Sequence, residues 1–216
     1  MTTDLFSEQM ESKVALADGA YWLRGFALAE ANALCALLLA HFKTHPPQQM
    51  MTPMGYKMSV HTTSFGAFGW VATKQGYGYA TKDLHSNQSW PAMPDLLLDL
   101  AKRAGEQAGY ADFMPDSCLV NVYGIGDKMG LHQDKDEADF SHPIVSVSLG
   151  LPVTFQFGGL TRTTKTLKIP LIHGDVVVWG ASSRLYYHGV LPLKAATHPL
   201  LGRRRINLTF RKAGKM

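Results

Sequence analysis

Residues 121–136 read N-V-Y-G-I-G-D-K-M-G-L-H-Q-D-K-D, and they carry the side chains best placed to bind a metal ion. In an extended segment, residues two apart point the same way, so His132 and Asp134 would lie roughly 6.5 Å apart at Cα and could reach one ion. A second histidine would complete the two-histidine, one-carboxylate face that holds non-haem Fe(II) and leaves open positions for substrate and oxygen. His188, in L-Y-Y-H-G, can supply it. Asp136 lies on the same face as Asp134 and could replace it by spacing alone. H-x-D is common by chance, and this chain has a second copy, His173-Gly174-Asp175. There the Gly-Asp pair precedes the apolar run 176–179, so a turn entering a strand accounts for it.

The segment R-I-N-L-T-F-R alternates without fault. Arg205, Asn207, Thr209 and Arg211 share one face, and Ile206, Leu208 and Phe210 the other. A half-exposed edge strand would alternate in the same way. If the apolar face packs on helices, however, the polar face lines an interior, where an unpaired arginine is very costly and demands an anion. A guanidinium fork matches a carboxylate bidentately, so two arginines suit a ligand with separated anionic groups. Their Cα atoms would be roughly 20 Å apart on a straight strand, so both side chains lean inward or the strand bends.

The elements that must position these groups follow from pattern. Residues 28–42 carry Leu34, Leu37, Leu38 and Phe42 at helical spacing, and a second helix starts near Pro94, bears Leu97, Leu100, Ala101, Ala104 and Ala108, and stops at Gly109. Between them, residues 46–90 are rich in proline, glycine, threonine and aromatics, with strand-like pieces at 56–62 and 76–79, and suggest hairpins and loops more than a core layer. Strands follow at 118–123, 145–151, 154–157, 167–170, 175–179, 186–190 and 205–210. Helices first and short strands afterwards give a mostly β fold with flanking helices, a double-sheet jelly roll.

Composition bounds the rest. The 216 residues, 46% hydrophobic and 18% charged, describe one globular domain able to bury a core and exclude a disordered chain. The net charge of +4 is concentrated late. Lys194, Arg203, Arg204, Arg205, Arg211, Lys212 and Lys215 follow one another with no acid among them, which suits a polyanion or an anionic ligand. Cys35 and Cys118 show no C-x-x-C spacing and read as buried thiols. The first nine residues lack the basic start and apolar stretch of a signal peptide, and the longest apolar run, 33–40, is too short to span a bilayer. A cytoplasmic monomer with no membrane contact is expected.

N-x-Y before the loop, H-x-D, a distant H and R-x-N-x-T-x-R together resemble the AlkB family of Fe(II)/2-oxoglutarate-dependent dioxygenases. P-I-V-S-V-S-L-G-L-P, F-Q-F-G-G-L and H-G-D-V-V-V-W-G are similar too, so the likeness runs along nearly the whole chain. The resemblance implies a double-stranded β-helix, with a nucleotide-recognition lid at about 46–90 and a catalytic core at 113–213. It implies Fe(II) on His132, Asp134 and His188, with 2-oxoglutarate and O2 as co-substrates. Asn121 and Tyr123 would hydrogen-bond 2-oxoglutarate, Arg205 its metal-proximal carboxylate and Arg211 its far one, with Asn207 and Thr209 fixing the strand. The reaction would remove N-methyl groups from 1-methyladenine and 3-methylcytosine in single- or double-stranded DNA, and in some members RNA, releasing formaldehyde. Trp70 would stack on the extruded base, whose positive charge its face favours. Tyr77, Tyr79 and Thr52 would contact the nucleotide, Arg162 a phosphate, and Asp136 the exocyclic amine of the base. Ile125 stands where proline is common in the family, Asp127 adds an acid to the loop, and Thr62 occupies what resembles a bulkier substrate-side position.

Overall fold

The computed structural model describes residues 11–214, so the reading of the N-terminal nine residues and Lys215 of the basic tail lie outside it. The chain opens on two short strands, β1 (Lys13–Ala17) and β2 (Ala20–Leu23), then α1 (Ala31–Thr44), β3 (Gln48–Met51), β4 (Lys57–Gly66), β5 (Gly69–Thr73), β6 (Gly76–Ala80) and α2 (Asp95–Gln107). Eight strands follow: β7 (Ser117–Tyr123), β8 (Met129–His132), β9 (Ile144–Gly150), β10 (Val153–Phe157), β11 (Leu167–Leu171), β12 (Val176–Trp179), β13 (His188–Val190) and β14 (Arg205–Arg211).

All strand pairings among the described residues are antiparallel, and they build a jelly roll. The larger sheet runs β1-β2-β12-β9-β14-β7-β4-β3, the smaller β11-β10-β13-β8, and β5-β6 stands apart as a two-stranded hairpin. Side-chain alternation decides what each face meets. Ile206, Leu208 and Phe210 of β14 pack with Val145, Val147, Val176 and Val178 against Leu34, Leu38, Leu97 and Leu100 of the two helices. Each such buried side chain contributes about 1.5–3 kcal/mol. The opposite faces enclose the second core, where Tyr123, Val177 and Trp179 of the large sheet meet Phe155, Phe157 and Ile169 of the small one. A strand covered on both faces has no polar side, and this is why 176–179 reads V-V-V-W without alternation.

Helix α1 begins three residues later than its pattern suggests, after a single 3-10 turn at Leu28–Glu30. Gly109 ends the second helical segment as expected: at φ +97° it takes the left-handed turn that lets Tyr110 N donate to Gly105 O at 2.8 Å. No helix among the described residues is long and apolar enough to cross a membrane.

Two readings change. The region 46–90 is not all hairpin and loop: β4 is ten residues long and lies beside β7 in the large sheet, with Val60 and Phe65 buried. Its run of hydroxyl residues hid a core strand, because the consecutive Thr62, Thr63 and Ser64 are themselves buried there. Thr62 pairs with Asn121 in the ladder and is 2% exposed, so it is a sheet-interior residue and does not line the cavity. Strands β1, β2, β3, β5 and β8 went unread because each is at most five residues long and most are half-buried at best.

Candidate metal centre and co-substrate pocket

Strand β8 carries His132 at its end, and β13 carries His188 at its start, and the ladder places the two residues directly opposite one another. The strands approach closely because β13 has glycine next to His188: a Cβ on Gly189 would lie 2.8 Å from Met129 O. The imidazole rings stand 4.4 Å apart between centroids. Asp134, two residues past His132, turns its carboxylate into the gap, with Oδ1 3.6 Å from His132 Nε2 and Oδ2 3.8 Å from His188 Nε2. One donor atom from each of the three lies within 4.8 Å of the others.

Backbone carbonyls fix both tautomers. His132 Nδ1 lies 2.9 Å from Gly130 O and His188 Nδ1 lies 3.0 Å from Tyr186 O. A carbonyl only accepts, so each Nδ1 carries the proton and each Nε2 presents its lone pair to the gap. Burial, then the neighbouring His132, lowers the pKa of His188 to about 4, which keeps it neutral. Burial alone would raise Asp134, but Arg211, His188 and His132 hold its carboxyl well below the usual range. Two imidazole nitrogens and one carboxylate on an open face are the donors a non-haem Fe(II) ion takes.

The three face a cavity of about 380 Å³ whose wall is the polar face of β14. This strand lies between β7 and β9, so it is central, and the edge-strand alternative fails. At one end Arg211 donates through Nε and Nη2 to Asp134 Oδ2, at 3.0 and 2.6 Å. At the other, Arg205 stacks over the Tyr123 ring at 4.9 Å and donates to Ser148 Oγ at 3.0 Å. The sequence reading put Arg205 nearest the metal and Arg211 farthest, and the geometry reverses that order. The cause is β8 and β13, which deliver the ligands to the Arg211 end of the strand.

Between the arginines, Asn207 holds the floor together. Its Nδ2 donates to Ser146 Oγ and Val147 O, and its Oδ1 accepts from Thr209 Oγ1 at 2.9 Å and Asn121 Nδ2 at 3.4 Å. Arg205 Nε and Nη1, Arg211 Nη1 and Asn121 Oδ1 are buried without a partner among the described residues. Unpaired guanidinium nitrogens at both ends of a buried trough fit an elongated dianion such as 2-oxoglutarate, so the lining suits co-substrate as well as metal.

The mouth is built by the hairpin. Trp70 and Tyr77 line it and stack with centroids 5.2 Å apart, Trp70 Nε1 donates to Asp136 Oδ2 at 2.9 Å, and exposed Arg162 borders the same opening. Asp136 is exposed, lies beyond the end of β8, and is not among the converging donors, so Asp134 takes the ligand position. Two expected contacts are engaged elsewhere. Thr52 sits in the β3–β4 turn, where its hydroxyl accepts from Tyr56 N at 3.1 Å, and Tyr79 donates to buried Glu137 at 2.6 Å. Neither lines the cavity. Asp127 explains itself: Oδ2 accepts from Gly124 N at 2.7 Å and Oδ1 from Ser59 Oγ at 3.1 Å, closing the glycine loop, while Ile125 packs on the inner core. His173 and Asp175 form the expected turn, accepting from Gly150 N and from Gly25 N and Ile172 N.

Sequence reasoning missed Glu137 and Arg184. Arg184 donates to Asp134 O at 2.7 Å and to Glu137 Oε2 at 2.9 Å. A buried Glu in an otherwise solvated-looking K-D-E-A-D run leaves no signal in the sequence.

Residues 19–211 match the model of the 2OG-Fe(II) oxygenase superfamily. The Escherichia coli K12 protein named alpha-ketoglutarate-dependent dioxygenase AlkB is 52% identical over 98% of both chains. This chain belongs to the AlkB family of that superfamily. A Caulobacter vibrioides AlkB homolog is 40% identical over 86% of this chain and 83% of its own. The solved structure of OsALKBH1 superposes with a TM-score of 0.80 at 28% identity, covering 93% of this chain and 99% of that one. The AlkB-family chain described here is therefore a dioxygenase that uses Fe(II), 2-oxoglutarate and O2.

Proposed function

We propose that the chain oxidatively demethylates N-alkylated nucleobases of the 1-methyladenine and 3-methylcytosine type, in single- or double-stranded DNA and in RNA. The observation that carries this reading is that a single cavity joins the His132–Asp134–His188 face, the arginine trough and the shelf of half-buried Trp70 and exposed Tyr77. Fe(II) held there, with 2-oxoglutarate and O2, supplies hydroxylation of the N-methyl carbon. The hydroxymethyl group then leaves as formaldehyde, while 2-oxoglutarate ends as succinate and CO2.

The protein's own part is positioning. Arg205, backed by Tyr123, holds the far carboxylate of 2-oxoglutarate, and Arg211 Nη1 faces the metal-proximal end. Asn121 is the polar wall between them, and Asn207 and Thr209 keep the strand in register. Trp179 and Phe155, with ring centroids 4.9 and 6.0 Å from that of His188, would shield this ligand from water. Trp70 and Tyr77 take the ring of an extruded base, Asp136 accepts from its exocyclic amine and offsets its charge, and Arg162 meets a phosphate. Within a single domain, residues 113–213 supply the catalytic core, and the recognition lid at 46–90 works through β5–β6, because β4 belongs to the large sheet.

The test compares succinate and formaldehyde released from methylated oligonucleotides with those from the free methylated nucleoside. Coupled release, strongest on the oligonucleotide, is expected. Turnover of a small molecule with none on oligonucleotide would replace this reading with a small-molecule hydroxylase.

A further inference from the structure

The β5–β6 hairpin is fastened to the loop after Asp134 through two consecutive acids. Trp70 and Tyr79 stand opposite each other across the hairpin. Trp70 Nε1 reaches Asp136, and the Tyr79 hydroxyl donates to Glu137 Oε1 at 2.6 Å. The two acids differ in kind. Asp136 is exposed, whereas the Glu137 side chain is 1% exposed inside a protein whose acids are otherwise mostly solvated.

Glu137 survives there because it belongs to a ring of charges. Its Oε2 accepts from Arg184 Nη2, and its Oε1 lies 3.3 Å from Arg211 Nε. Arg184 donates onward to Asp134 O and to His142 O, and Arg211 grips the Asp134 carboxylate with two nitrogens. Glu137 and two guanidiniums thus surround Asp134, whose carboxylate Arg211 holds and whose backbone carbonyl Arg184 holds, and the Tyr79 hydroxyl enters this ring from the hairpin. Buried ion pairs hold one geometry only while every partner is present. Removing one donor from Glu137 frees it to swing toward Arg211, and Arg211 is what orients Asp134.

We infer that Tyr79 and Glu137 are positioning residues: the Tyr79 hydroxyl latches the nucleotide-recognition hairpin onto the ion-pair ring that orients Asp134. Metal binding and hairpin seating then strengthen one another, by the same factor in either direction, because coupling between sites is reciprocal. The latch rests on the reading of His132, Asp134 and His188 as the iron ligands. It goes beyond that reading by giving the ring, and two residues outside the cavity lining, a task in readying the enzyme for a base.

The experiment uses the intact protein and Mn(II), which supports no turnover. Amide hydrogen exchange is followed at residues 69–80 with and without Mn(II), and Mn(II) affinity is measured in parallel. Wild-type protein should exchange more slowly in this hairpin when the ion is bound. Tyr79→Phe keeps the ring and loses the hydroxyl; it should lose most of that metal-dependent slowing, and its Mn(II) affinity should fall by a matching factor, about fivefold to tenfold. Glu137→Gln should reproduce the loss, and the double variant should be no worse than the more affected single one. Trp70→Phe, which removes the bond to exposed Asp136 but leaves the ring intact, should keep the slowing. Unchanged metal-dependent protection in Tyr79→Phe, or equal loss in Trp70→Phe, overturns the latch. Wild-type protein that binds Mn(II) with no change in the hairpin overturns the latch alone, whereas wild-type protein that does not bind Mn(II) removes the ligand assignment with it.

Discussion

The pocket floor and the hairpin at its mouth are built on opposite principles. Arg205, Asn207, Thr209 and Arg211 lie on a strand flanked on both sides, each no more than 6% exposed, with side chains tied to Ser146, Ser148 and Asp134. Among the described residues the hairpin pairs only with itself, and Tyr77 on it is 47% exposed. Two strands alone are marginal in water, so β5–β6 keeps its place through contacts to its neighbours and belongs to the readily opened part of the fold. Oxidation at one carbon needs a floor that does not move. A polymer substrate needs a mouth that can.

On that division, substitutions around the floor should impair metal or co-substrate binding, and those of Trp70 and Asp136 at the open mouth should weaken only recognition. The largest effect is expected for His188→Ala, which should lose iron binding and all turnover, since two remaining ligands hold the ion poorly. His173→Ala, from the other H-x-D pair, should leave both intact; equal loss in the two variants would contradict the assignment. Metal affinity by calorimetry and succinate release decide it.

The two arginines should separate next. Arg205→Lys keeps the charge but not the fork, so the 2-oxoglutarate requirement should rise about tenfold to a hundredfold with metal affinity unchanged. Arg211→Lys should weaken 2-oxoglutarate and metal together, because the same guanidinium grips Asp134. Titrations of both ligands on both variants check the order of the two residues along the trough.

Smaller effects belong to the mouth. Trp70→Ala should raise the oligonucleotide KM about tenfold, the worth of one stacked base, and leave uncoupled 2-oxoglutarate decarboxylation in place. Asp136→Ala should cost a charged methylated base about threefold more than a neutral alkylated one, modest because the carboxylate is solvated. Parallel kinetics on 1-methyladenine and a neutral adduct measure it. A last prediction tests a histidine in neither region. His41, buried beneath β4 beside Thr63 and Phe65, has its pKa lowered by burial, and then by His45, to about 4. Its folded value lies below its unfolded one, so its contribution is present above pH about 6.5 and is lost as pH falls toward 4. The Tm should drop over that window and drop less in His41→Leu.

The floor was legible in the sequence because it obeys strict periods. R-I-N-L-T-F-R shows both of its faces, and H-x-D places two donors on one side. What the sequence withheld is which strand lies beside which. Nothing in M-G-L-H announces that it pairs with H-G-V, although that pairing sets the histidines opposite each other and decides which arginine is nearer the metal. The resemblance carried the aromatic residues as a set, and local geometry then divided them: Trp70 and Tyr77 open to the cavity, Tyr79 turned inward to Glu137. Glu137 and Arg184 stayed hidden because a buried ion pair far apart in sequence has no spacing to read.

The register of β8 carries a further consequence. Among the described residues it is the outermost strand of the smaller sheet, held on one side by β13 and bare of ladder bonds on the other. An ion bonded to His132 and His188 at once would rivet that strand to its neighbour from the side-chain face, adding a fastening that the backbone does not provide. The cofactor that turnover requires would then also be what keeps this edge from peeling. Iron starvation would be felt first as fraying and proteolytic nicking near residues 126–136, ahead of any global unfolding.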